Sequence, residues 1–170
     1  AKWVKAITDE YPNFNVVGEA WMHSPAHIAY WQKDSKIAEI DNYNSYLPSV
    51  MDFPLYDAIP KAVSEEQSWD KGMIRIYDNF TNDFLYPNIN NILVFMENHD
   101  TERFNEITNG NVNEYKLGLT LLSTVRGIPQ VYYGTEIGMR GDKSKGDAAI
   151  RQDFPGGWKS DKQNAFTTDG

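Results

Sequence analysis

Two apolar runs that stop abruptly at a carboxylate constrain this chain more than any other feature. Phe14-Asn15-Val16-Val17-Gly18 leads straight into Glu19, Ala20 and Trp21. Ile92-Leu93-Val94-Phe95-Met96 leads into Glu97-Asn98-His99-Asp100. A continuous run of this kind marks a strand covered on both faces, as in a parallel sheet beneath helices. An ionised carboxylate inside that layer is costly unless paired, whereas at the exit of the strand it sits on the rim. In open α/β sheets and β/α barrels that rim carries the chemistry. Two such exits, roughly 80 residues apart, suggest two acids converging on one pocket.

The rest of the chain alternates between the two periodicities. Trp3, Val4, Ile7 and Tyr11 recur at helical spacing, and Pro12-Asn13 ends that helix. Ser24-Pro25 reads as an N-cap with proline at the first helical position, opening a helix to Gln32. Residues 49–53 form a weaker strand candidate. Residues 55–63 read as a helix that Pro60 should bend or split. Residues 71–83 form an amphipathic helix, and 113–126 form another that Gly127 stops. Residues 128–133 read as a last strand, with Pro129 near its start, where a missing donor costs least. The insert at 33–46 and the polar loop at 134–170 show little periodicity. The reading is one partial domain over residues 1–170, of class α/β, with about four parallel β/α units. Four units cannot close a barrel of eight. The alternatives are an open sheet or half of a larger barrel with unpaired edges, which invite pairing with another chain.

Charge and composition narrow the partners. A net charge of −8 and a pI near 4.8 argue against nucleic acid or an anionic membrane surface, both of which need basic patches. No stretch has the apolar length of a membrane span. Residues 1–5 lack the pattern of a signal peptide and do not begin with Met, which allows a start upstream, so the compartment stays unread. Cysteine is absent, excluding disulfides and thiolate metal sites. The 5 Trp and 10 Tyr suit sugar-stacking platforms, though core packing accounts for most such residues.

At this point the residues resemble a known family. Val17-Gly18-Glu19-Ala20-Trp21 and Phe95-Met96-Glu97-Asn98-His99-Asp100 are similar to two signature regions of the α-amylase family, retaining glycoside hydrolases built on a (β/α)8 barrel. Residues 127–139, Gly-Ile-Pro-Gln-Val-Tyr-Tyr-Gly-Thr-Glu-Ile-Gly-Met, resemble its eighth strand and the loop that follows. The details are most similar to the neopullulanase and cyclomaltodextrinase branch. The resemblance implies the C-terminal half of a TIM barrel, strands five to eight. It makes Glu19 the general acid/base and Asp100 the carboxylate that grips sugar hydroxyls and stabilises the transition state. It gives His99 to the −1 subsite, Trp21 and His23 to the +1 side, Tyr133 to the floor of the pocket, and Arg103 to a carboxylate at the rim. The substrate implied is an α-glucan with α-1,4 bonds, α-1,6 bonds being left open as a second type, and no organic cofactor is required.

The pattern departs from the family at the nucleophile, which belongs to a fourth-strand motif and to a part of the barrel that these units do not supply. The expectation is therefore that these 170 residues are inactive alone and pair with themselves along unpaired edges. Asp52, the other strand-end acid, is a remote substitute for the nucleophile. Asp142, Asp147 and Asp153 offer hard oxygen ligands for calcium, but their spacing matches no EF-hand, and a solvated acidic loop accounts for them without an ion. Consecutive strand residues point to opposite faces, so Glu97 to Asp100 do not make one metal site. Arg126-Gly127 reads as a basic helix end and its stop. Two other classes compete. A non-catalytic amylase-like scaffold or sugar-binding domain has no reason to keep acids at an apolar rim. An open-sheet ligand-binding protein would carry a phosphate-cradling glycine loop after its first strand, and Val17-Gly18-Glu19-Ala20 is not one.

Overall fold

The computed structural model describes residues 2–167. They form two compact units. The first runs to Met96 and takes in Lys116–Gln130. The second comprises Glu97–Tyr115 and the residues from Val131 onward.

The first unit holds all four strands in parallel. β1 (Val17–Gly18) pairs with β2 (Ser49–Val50), and β3 (Leu93–Val94) pairs with β4 (Ile128–Pro129). A parallel bridge from Met51 to Leu93 joins the two pairs, as does the Asp52 N–H donated to the Leu93 carbonyl at 2.9 Å. The strands are shorter than the apolar runs suggest. After Pro129, which donates nothing to the ladder, Gln130 N–H reaches Val94 O at 2.8 Å. The chain then turns, with Thr135 N–H donating to Tyr132 O at 3.1 Å. Residues 130–133 are therefore not strand. Gly127 has φ +97°, and a Cβ there would stand 2.7 Å from the Ile92 carbonyl oxygen, so this close approach of β4 to β3 admits only glycine.

Helices connect and cover the strands. α1 (Lys2–Glu10) buries only Val4. α2 (Pro25–Trp31) starts where Ser24-Pro25 places it, although the Ser24 side chain makes no capping bond. Residues 33–46, expected to be irregular, contain α3 (Lys36–Glu39), capped by Ser35. α4 (Phe53–Ser64) runs unbroken through Pro60, so of the expected bend or split the split does not occur. Its first turn is fixed by Asp52, whose side chain accepts the Leu55 N–H at 2.9 Å. α5 (Ile74–Phe80) begins three residues later than its periodicity predicts, because Gly72 is left-handed at φ +74° and its N–H goes to Glu65 Oε2 at 3.0 Å. Phe53, Tyr56 and Phe95 form an aromatic core beneath β2 and β3, with ring centroids 5.1–6.2 Å apart.

The second unit is built from loops. It contains α6 (Phe104–Ile107), the first turn of α7 (Val112–Thr124), and α8 (Asp147–Ile150). The polar tail is thus not featureless. It has short 3₁₀ turns at Thr135–Ile137 and Lys143–Lys145 besides α8.

Candidate active site

Glu19 is the first residue past β1, and its side chain is exposed. It lines a cleft of about 370 Å³ with Gly18, Ala20, Trp21, Met22, Trp31 and Leu47. The loop that carries it is held to α4 at two points one helical turn apart. The Trp21 ring stacks on Phe53 at 4.7 Å between centroids. His23 Nδ1 hydrogen-bonds Asp57 Oδ2. Of the two +1-side residues expected, Trp21 therefore lines the cleft, while the His23 ring is engaged by Asp57. A larger cleft of about 570 Å³ lies among residues that precede the strands, including Asn15, Pro48 and Asn91. That is the strand end opposite Glu19, and in parallel β/α architectures chemistry belongs to the other end.

Asp52 is not a second strand-end acid open to substrate. It is fully buried and salt-bridged to Arg126 Nη1 at 2.8 Å. Arg126 in turn holds both Asp83 oxygens from Nε at 2.9 and 3.0 Å and donates to Asn79 Oδ1 from Nη2 at 3.0 Å. Asp52 is thus a helix cap and a buried ion-pair partner, which removes it as a substitute nucleophile. Arg126, expected as a plain basic helix end, is the centre of that network.

In the second unit, Asp100 is half-buried with its backbone fixed. Its N–H donates to Asn98 Oδ1 at 2.8 Å, and Asn98 N–H donates to Thr101 Oγ1 at 2.8 Å. His99 is exposed, and its Nε2 lies 3.0 Å from Asp100 Oδ2. Glu97, by contrast, is buried. It accepts hydrogen bonds from the Phe104 N–H and the Thr135 hydroxyl, and pairs with Arg103 Nη1 at 3.3 Å. Arg103 does reach a carboxylate, but not at the rim. Its side chain is 1 % exposed. Its Nε donates to Ile150 O at 3.0 Å, its Nη1 to Tyr133 O at 2.7 Å, and its guanidinium lies 4.0 Å from the Tyr132 ring centre. A substrate-contacting role for Arg103 is thereby replaced by an interior one. Tyr133 lies past β4 rather than at its end. Its hydroxyl donates to Gln152 O at 2.7 Å.

The three acids considered for calcium go separate ways. Asp142 takes the Ser144 hydroxyl and N–H, and these bonds hold its carboxyl below the ordinary aspartate range. Asp147 pairs with Lys143, which likewise lowers it, and with Arg151. Asp153 accepts the Trp158 indole N–H at 3.0 Å. Among the described residues no three His, Cys, Asp or Glu side chains are grouped so as to hold a metal. The family resemblance also implies a nucleophile motif with the letters Gly-x-Arg-x-Asp, and those letters occur at Gly138, Arg140 and Asp142. They stand in a loop, however, with Arg140 tied to Glu106 at 2.8 Å and no strand leading into them.

Comparison with known proteins decides the family. The alpha amylase catalytic domain matches residues 1–168. The chain belongs to the alpha-amylase family. Among its relatives, alpha-amylase 3 of Dictyoglomus thermophilum is 33 % identical over 159 residues, covering 92 % of this chain and 28 % of the relative. A cyclomaltodextrinase of Thermoanaerobacter pseudethanolicus is 28 % identical over 164 residues, covering 96 % of the chain and 25 % of that protein. Both the family and the cyclomaltodextrinase-like branch read from the motifs are thus supported. The crystal structure of the Geobacillus thermoleovorans alpha-amylase complexed with acarbose superposes with a TM-score of 0.70 at 28 % identity, over 90 % of this chain and 32 % of that one. The chain therefore spans between a quarter and a third of the length of these relatives. Its fold is the expected α/β one, parallel β/α units of a partial alpha-amylase barrel.

Three further residues of this segment carry no local signal in the sequence. Glu97 and Thr135 are interior hydrogen-bonding partners whose burial no periodicity signals. Arg151 reaches Asp100 across 51 positions, and no local spacing marks such a contact.

Proposed function

We propose that the polypeptide carrying this chain cleaves α-1,4-glucosidic bonds with retention of configuration. Glu19 acts as general acid/base. Asp100, with His99 beside it, grips the sugar and stabilises the oxocarbenium-like transition state. The observation that carries this reading is Glu19 at the exit of β1 with Trp21 lining the same cleft, in a chain matched to the alpha-amylase family over residues 1–168. A carboxyl at a strand exit can give its proton to the leaving oxygen, and a flat aromatic nearby suits a sugar face. Retention also needs a nucleophilic carboxylate roughly 5–5.5 Å from the acid. Asp52 is committed to Arg126, and Asp142 is held by Ser144 and Lys145. We accordingly assign the nucleophile to residues other than these 170.

The test is the anomeric form of the first product. The full-length polypeptide, given maltotetraose in a proton NMR tube, should release the α-anomer before mutarotation, and the 170-residue chain should release nothing. A β-anomer first, or cleavage by the isolated chain at a rate matching the full-length protein, would refute the assignment. The isolated chain is further expected to pair with itself along the outer edge of β1, where Val17 is 40 % exposed. Sedimentation equilibrium reads this out, and a monomer at micromolar concentration would count against it.

A further inference from the structure

The late loop and the Asp100 loop exchange arginines. Arg103, next to the Asp100 turn, donates to the carbonyl of Ile150 at 3.0 Å. Arg151, the next residue along, reaches back in the opposite sense. Its Nε donates to the His99 carbonyl at 2.7 Å, and its Nη2 is bonded to Asp100 Oδ1. The same Nη2 is steadied by Asp147 Oδ2 at 3.1 Å, one helical turn earlier on α8. With His99 Nε2 on Oδ2, both oxygens of Asp100 are engaged, and its N–H is fixed by Asn98. No motif or periodicity in the sequence marks Arg151.

From this geometry we infer that Arg151 is a positioning residue for Asp100. Resting on the glycosidase reading above, the inference is that Arg151 sets the direction in which the Asp100 carboxylate meets the sugar. A planar guanidinium can satisfy a backbone carbonyl and a carboxylate together from two nitrogens, and the bond to the carboxylate is charge-assisted. A lysine ammonium is a single point of charge and cannot span both acceptors in that fixed geometry. Because Asp100 acts on charge that develops in the transition state, losing its orientation should lower kcat rather than raise KM.

The experiment uses the full-length polypeptide and maltotetraose. Arg151→Ala should lower kcat about 10- to 100-fold, the size of effect expected for a misplaced catalytic group, with KM little changed. Millimolar ethylguanidine should restore part of the loss, a rescue that a purely structural role would not give. Arg151→Lys should stay low for the reason above. Asp147→Asn, which loosens Arg151 without removing it, should lower kcat less and in the same direction, and it stands in if Arg151→Ala does not fold. An unchanged kcat, a loss confined to KM, or a loss that ethylguanidine leaves untouched would overturn the inference. One readout is independent of turnover. In nitrogen-15 spectra the Arg151 Nη2 protons, bonded to Asp100 and Asp147, should be protected from solvent exchange and should lose much of that protection in Asp100→Asn. Full turnover with unprotected Nη2 protons would overturn the inference alone. Protected Nη2 protons in a full-length polypeptide that cleaves no α-glucan would overturn the glycosidase reading and, with it, the purpose assigned to Arg151.

Discussion

Glu19→Gln in the full-length polypeptide should lower kcat/KM on maltooligosaccharides by about 10²–10⁴-fold, the range that a positioned proton donor contributes. The loss should depend on the leaving group. A sugar hydroxyl leaves badly without a proton, so maltotetraose should show the full effect. A glycosyl fluoride needs little protonation, so its first step should be largely spared. Glu19 is exposed and makes no part of the core, so thermal stability should hardly move. That combination separates catalysis from the competing scaffold reading. A scaffold would show no cleavage to lose, and a mere rim charge would show a loss of less than about tenfold with no dependence on leaving group.

Arg126→Ala should destabilise the first unit by about 3–5 kcal/mol, the cost of removing one partner from a buried ion pair. Asp52 has no exposed surface, and the Arg126 side chain is only 12 % exposed, so water cannot replace the lost contact. The loss should depend on pH in a stated direction. Burial pushes the Asp52 carboxyl above the ordinary aspartate range, and Arg126 opposes that. Without the arginine, the folded state holds the Asp52 proton more tightly than the unfolded chain does. Stability then falls as pH rises above the unfolded carboxyl range and returns as pH is lowered toward it. Urea titrations of wild type and variant near pH 4 and pH 7 give the comparison. A gap between the two proteins that is the same at both pH values would refute this account of Asp52.

Much of the framework is legible in the sequence, and the reason is local. Apolar runs such as 92–96 and amphipathic spacing such as that of 113–126 are written within one element, and they located β3 and α7 to within a few residues. Glu19 and Asp100 stood out because each terminates such a run or closely follows one. What stayed hidden depends on partners far along the chain. The Asp52–Arg126 contact spans 74 positions and the Asp100–Arg151 contact 51. No periodicity encodes either of them. Arg103 misled because a cation is ordinarily outside. Its burial is permitted by Ile150 O, Tyr133 O and Glu97, three acceptors that only the fold assembles. The ladders are shorter than the apolar runs for a related reason. How far a strand continues depends on its neighbour, and the chain turns away after Gln130. Pro60 shows the converse, a local rule overridden by the packing of Ala58, Ile59 and Ala62 on the buried face of α4.

The strands and the helices α1 to α5 are made almost wholly from residues to Met96 and from Lys116–Gln130, while Asp100 and its arginine neighbours come from two excursions that leave the ends of β3 and β4. The first excursion runs from the end of β3 into α7, and the second follows β4. In evolutionary terms this is a division of labour. Loops set off from a scaffold in this way tolerate insertions and exchanges, so residues 97–115 and 131–167 can vary without disturbing the strands and helices that carry Glu19.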